Sequence, residues 1–141
     1  MKKLILLFTA IVLLAGCSTT PEAPVLEIPA PQTTEDSASY EDYSPERYSE
    51  LKGQKPFALF FHAKWCGECK SLEKELTGNL SSYPEDIIIL KTDYDTETNL
   101  RNEFDVKVQT TFVIFDAQGN VVVNKPIFEA KDVIAEMTQV L

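Results

Sequence analysis

The sequence predicts an α/β domain with a mixed central sheet and helices on both of its faces. Three observations lead there. Residues 57–62 and 87–90 form short apolar runs, and the second is continuously apolar, as in a strand buried on both faces of a parallel sheet. Helical signals separate these runs, which gives a parallel β-α-β start. Residues 112–115 and 121–123 are apolar runs joined by Asp116-Ala117-Gln118-Gly119-Asn120, a turn that makes them a hairpin.

The elements follow in chain order. Ser44-Pro45-Glu46 opens a helix: Ser caps it, Pro fits its first position and an acid suits its first turn. That helix is expected to end near Gly53. Pro56 suits the entrance of the strand at 57–62. A helix follows Cys66, with Cys69, Leu72, Leu76 and Leu80 on one stripe. After the strand at 87–90, residues 95–104 read as a helix. The hairpin comes next, and Val133, Ile134, Met137, Val140 and Leu141 mark a closing helix. The predicted order is α, β, α, β, α, β, β, α.

The chain has 141 residues, 44% of them apolar, which suffices for one core. Its formal net charge of −9, from 22 acids against 13 Lys and Arg, argues against a nucleic-acid partner. Only three cysteines are present, so a disulfide-dense scaffold is excluded.

The N-terminus reads as an address. Lys2 and Lys3 precede an apolar stretch over 4–14, and Ala15-Gly16-Cys17 follows. This is the pattern of an export signal, and the stretch is too short to span a bilayer as a mature helix. Leu14-Ala15-Gly16-Cys17 resembles the lipobox of bacterial lipoproteins. The resemblance implies cleavage before Cys17, a lipid on its sulfur, and attachment to a membrane of the cell envelope facing the extracytoplasmic space. Residues 1–16 are then the signal peptide. Residues 17–43 are read as a lipidated cysteine and an acidic, Pro-rich, disordered tether, and residues 44–141 as the folded domain.

The chemistry is expected at Trp65-Cys66-Gly67-Glu68-Cys69. Two cysteines three apart, after a strand and opening a helix, make a redox pair. Cys66 falls on the first turn, facing solvent, where free N–H groups and the helix dipole favour its thiolate. Cys69 points to the core. Cys66 is the expected nucleophile and Cys69 the resolving thiol, with a Cys66–Cys69 disulfide as the oxidised state. Lys64 and Lys70 are either aids to the thiolate or solvated surface charges.

On these residues, together with Lys91-Thr92-Asp93-Tyr94-Asp95 and the segment 108–115, the chain resembles the thioredoxin-like family over essentially all of 44–141. Three positions depart from the family pattern. Thr110 stands where the family carries a cis-proline, and a trans peptide is expected there because a non-proline cis bond costs about 2.5–4 kcal/mol. Phe60 stands where the family has a buried acid beneath the resolving cysteine. Glu68 is then the nearest candidate for taking the Cys69 proton, against a plain role as a first-turn acid. His62, the only histidine, replaces an aromatic residue; it is either packed at the strand end or a tuner of Cys66. Trp65 is expected to pack at the rim of the site. Asp93 and Asp95 are expected to cap a strand-to-helix turn.

The resemblance implies a monomeric thiol–disulfide oxidoreductase, without cofactor, acting on exported proteins and re-reduced by a membrane or soluble electron donor. Reduction or interchange is favoured over strong oxidation, because Cys-Gly-Glu-Cys lacks the internal histidine of strongly oxidising relatives. The alternative is a metal or iron–sulfur module, with Thr110 leaving room at the cysteines. It needs two further ligands, from a second copy or with His62 contributing. A redox-inert holdase using the apolar rim is a third reading.

Overall fold

The computed structural model describes residues 37–141. Cys17, the signal segment and all of the tether up to residue 36 lie outside the described residues. Five strands form one sheet in the order β1-β3-β2-β4-β5. They are β1 (Ser39–Asp42), β2 (Phe57–His62), β3 (Ile88–Asp93), β4 (Thr111–Phe115) and β5 (Val121–Pro126). The helices are α1 (Pro45–Leu51), α2 (Gly67–Gly78), α3 (Thr98–Glu103) and α4 (Ala130–Thr138). β3 runs parallel to both β1 and β2, whereas β4 is antiparallel to β2 and to β5. The mixed sheet and the hairpin are as the sequence predicts.

β2 is central and buried at every position, so its alternating side chains feed two cores. Ala58 and Phe60 join Cys66, Cys69, Leu72, Leu76 and Met137 on one face. Phe57, Leu59 and Phe61 join Leu51, Leu90 and Phe115 on the other. Phe60 stacks on Phe112 with ring centroids 4.5 Å apart, a pair that contributes about 0.5–1.5 kcal/mol beyond area burial.

The domain starts earlier than expected. Residues 39–42, read as part of a disordered tether, are strand β1, with Tyr40 opposite Ile89 on β3. Main-chain pairing and a single aromatic side chain outweigh the local acidity here, and Glu41 is held by Arg47 at 3.1 Å. Three other ends also differ. α1 stops at Leu51, two residues short of Gly53. α3 begins only at Thr98, because the Asp93 carboxylate accepts from the N–H groups of Asp95 and Thr96 and keeps that stretch in a turn. α4 ends at Thr138, so Val140 packs on the core from outside the helix and Leu141 is exposed.

Candidate active site

α2 starts where β2 has passed through the core and turned. Cys66 is the N-cap of α2 and its sulfur accepts from the Cys69 N–H at 3.1 Å. This is the capping geometry that serine usually supplies, and it puts an otherwise unpaired helix N–H on the sulfur. Cys66 does not face solvent as expected: only 5% of it is exposed, because the sulfur folds back over the first turn toward Thr110. Cys69 is fully buried, as expected, and both cysteines are free thiols.

Thr110 completes the pair. Its hydroxyl lies 3.2 Å from the Cys69 sulfur and 3.7 Å from that of Cys66. The peptide is trans, and Thr110 adopts a φ of 63°. The left-handed region is costly for a β-branched residue, on the order of 1–3 kcal/mol. The loop is fixed from both sides: the Thr110 N–H donates to Phe61 O at 2.8 Å, and Thr110 O accepts from Ile127 N–H at 3.1 Å. The side chain thus occupies the space that the proline-free loop was expected to leave.

The two thiols are electrostatically unequal. Burial alone would push the Cys66 thiol up, but hydrogen bonds from Cys69, Thr110 and Gln109 outweigh it and hold Cys66 below the ordinary thiol value. Burial pushes the Cys69 thiol up, and its hydrogen bond to Cys66 adds to the rise. A nucleophile poised as thiolate and a resolving thiol that keeps its proton are what stepwise exchange requires.

The supporting residues divide. Trp65 is 62% exposed and its indole N–H donates to Asp95 at 2.9 Å. Asp93 caps the turn, as expected, whereas Asp95 holds Trp65, which the sequence did not indicate. Gly67 is exposed, with nothing within 4 Å of an added Cβ. Glu68 is exposed in the first turn of α2 and makes no side-chain hydrogen bond among the described residues. Lys64 pairs with Asp93 at 3.6 Å. His62 is buried and turned to Glu73 of α2 at 3.1 Å. Burial holds its imidazole below the ordinary histidine value, with Lys91 adding to the depression and Glu73 opposing it. The ring is thus engaged with Glu73 at the strand end. It also leaves a metal at the cysteines with two sulfurs, since no group of three or more His, Cys, Asp or Glu is placed to hold an ion among the described residues.

The family model described as Thioredoxin matches residues 41–139. The chain belongs to the thioredoxin family. Among curated thioredoxins, the mitochondrial Thioredoxin-3 of Saccharomyces cerevisiae is 33% identical over 64 residues, covering 45% of this chain and 50% of that protein. Thioredoxin-1 of Caenorhabditis elegans is 36% identical over 69 residues, 49% of this chain and 58% of that protein. This chain thus spans about half the length of the thioredoxins it matches. The crystal structure of Trxlp from Edwardsiella tarda superposes with a TM-score of 0.62 at 24% identity, over 70% of this chain and 98% of that one, and shows the shared thioredoxin fold. Residues 1–18 match the model for a prokaryotic membrane lipoprotein lipid attachment site.

Proposed function

We propose that this thioredoxin-family chain is a thiol–disulfide oxidoreductase of the bacterial cell envelope, tethered by a lipid on Cys17 and reducing or interchanging disulfides of exported proteins. The carrying observation is the inequality of Cys66 and Cys69 beneath one Thr110 hydroxyl. The Cys66 thiolate attacks a substrate disulfide, one substrate sulfur leaves as thiolate, and a mixed disulfide forms. Cys69 then attacks the Cys66 sulfur, the second substrate sulfur leaves, and the protein is left with a Cys66–Cys69 disulfide. Two electrons pass to the substrate, and an external dithiol donor returns them.

The lipid-attachment match over residues 1–18 supports the tether. Among the described residues no helix is long and apolar enough to cross a membrane. A lipid on Cys17 would supply the anchor, and stable anchoring takes more than one acyl chain.

Insulin disulfide reduction tests the chemistry. The reduced protein is expected to accelerate it and Cys66→Ser is not; equal rates would remove the enzymatic reading. Incorporation of labelled palmitate into the protein, lost in Cys17→Ser, tests the tether.

A further inference from the structure

Ile127 links the cysteine pair to a second surface. It is buried in the core cluster that holds Cys66 and Cys69. Its N–H donates to Thr110 O at 3.1 Å, which carries the β4–β5 pairing one residue past Thr111 and Pro126. The Thr110 hydroxyl in turn lies 3.2 Å from the Cys69 sulfur and 3.7 Å from that of Cys66. Ile127 also lines a groove of about 420 Å³ between the end of β5 and α4. The groove therefore begins one main-chain hydrogen bond away from the residue that touches both sulfurs.

The next residue, Phe128, lines the groove and is 60% exposed. A single exposed apolar side chain is ordinary on a protein surface. Here Trp65, next to Cys66, and Val108, two residues before Thr110, are exposed large apolar side chains as well. Beyond Phe128 the character of the lining changes: Glu129, Asp132 and Glu136 stand against Lys125. Lys125 is taken by Glu136 at 2.6 Å, and Lys131 pairs with Glu129. Asp132 is left with no cation at bonding distance among the described residues. A ligand's apolar side chain gains by leaving water on Phe128, a basic one is attracted to Asp132, and an acidic one is repelled. The lining runs from Phe128 along α4 to Gln139, about 15 Å at the helical rise, which matches about four residues of extended chain.

We propose that this groove extends the active site: it docks the segment of a protein substrate that flanks the disulfide, with an apolar side chain on Phe128 and a basic one at Asp132. Its length and its continuity with the Thr110 loop fit a polypeptide, and its charge selects which one. Phe128 and Asp132 touch neither sulfur. They set which disulfide is presented to Cys66 and leave the exchange itself to the cysteines and Thr110. The inference rests on the redox reading of the cysteine pair.

The test separates the two. Reduced full-length protein is mixed with disulfide-linked peptide dimers that differ only beside the cysteine, where one position is Leu or Ser and a further one Arg or Glu. The Leu–Arg peptide is expected to react at least about fivefold faster than the Ser–Glu peptide, and the Arg part of that preference to shrink with added salt. Phe128→Ala should lose the preference for Leu and keep that for Arg; Asp132→Asn should do the reverse. Thiopyridone release from the small, uncharged 4,4′-dithiodipyridine should keep its rate in both variants, which reports that fold and cysteine pair are intact. Peptide preferences that survive both substitutions, no preference in the unaltered protein, or equal slowing with the small disulfide overturns the proposal. So does a dimer in light scattering that Phe128→Ala dissociates, since the groove would then hold a second copy of this chain. No thiopyridone release by the unaltered protein would instead remove the redox reading itself.

Discussion

The hydroxyl of Thr110 lies 3.2 Å from the sulfur of Cys69 and reaches that of Cys66 at 3.7 Å. One side chain thus bears on both halves of the exchange reaction. Donated to Cys66, the hydroxyl favours its thiolate; turned to Cys69, it stays with the thiol that waits. Thr110→Val keeps the branched shape and the strained φ and removes only the hydroxyl. A hydrogen bond to a charged group contributes about 1.5–3 kcal/mol, and one pKa unit is about 1.4 kcal/mol. The Cys66 titration, followed by iodoacetamide alkylation against pH, is therefore expected to move up by about one unit. An unmoved midpoint would show that the hydroxyl does not serve the thiolate.

Trp65 is the single tryptophan, so the intrinsic emission of the chain reports on one side chain of the site. Among the described residues its one side-chain hydrogen bond is to Asp95, across 30 residues of sequence. Asp95→Ala removes an exposed hydrogen bond, and the expected loss of stability is below about 1 kcal/mol. The indole should become freer: lower emission anisotropy and stronger acrylamide quenching are expected. Insulin reduction should show a raised KM with little change in kcat, as expected of an exposed ring at the rim that carries no reacting group. Unchanged anisotropy would mean that Asp95 does not orient the indole.

His62 gives the domain a defined acid response. Its imidazole titrates below the ordinary 6.5 when folded, burial being the main cause, and at 6.5 when unfolded. Between those values the unfolded chain binds more protons, so stability falls as pH drops below about 6.5. The carboxylates of Asp93 and Asp116, held below their usual value of 3.8, withdraw their contribution only at lower pH. Urea denaturation of the unaltered protein is expected to give a lower midpoint near pH 5 than near pH 7. In His62→Gln that difference should shrink. An equal loss in both would place the acid sensitivity elsewhere.

Most of the fold is written in local patterns. The run 57–62 is buried at all six positions of β2, and the Gly119 turn closes the β4–β5 hairpin as its composition indicates. Cys69 points inward because it shares a helical stripe with Leu72 and Leu76. β1 was not legible, because its acids carry the signature of a tether and its pairing partner lies some fifty residues away. The burial of Cys66 was hidden for a similar reason. It depends on where Thr110 sits, and that follows from the anchoring of a distant loop by Phe61 and Ile127. Sequence also does not display that His62 and Lys91 converge on Glu73 from two neighbouring strands.

Gly67 separates a demand of the fold from a demand of the substrate. It begins α2, is exposed, and an added Cβ meets nothing within 4 Å. Its φ lies outside the left-handed region. The fold therefore does not need a glycine there, and Gly67→Ala should hold or gain up to about 1 kcal/mol by restricting the unfolded chain. A substrate is different, since a protein disulfide must approach the surface beside Cys66, where the new methyl would stand. Thiopyridone release from 4,4′-dithiodipyridine is expected to keep its rate in Gly67→Ala, whereas insulin reduction should lose several-fold in kcat/KM. Equal effects on the small and the protein disulfide would mean that substrate main chain does not pass over this residue. A fall in urea midpoint would mean that the glycine serves the helix start instead.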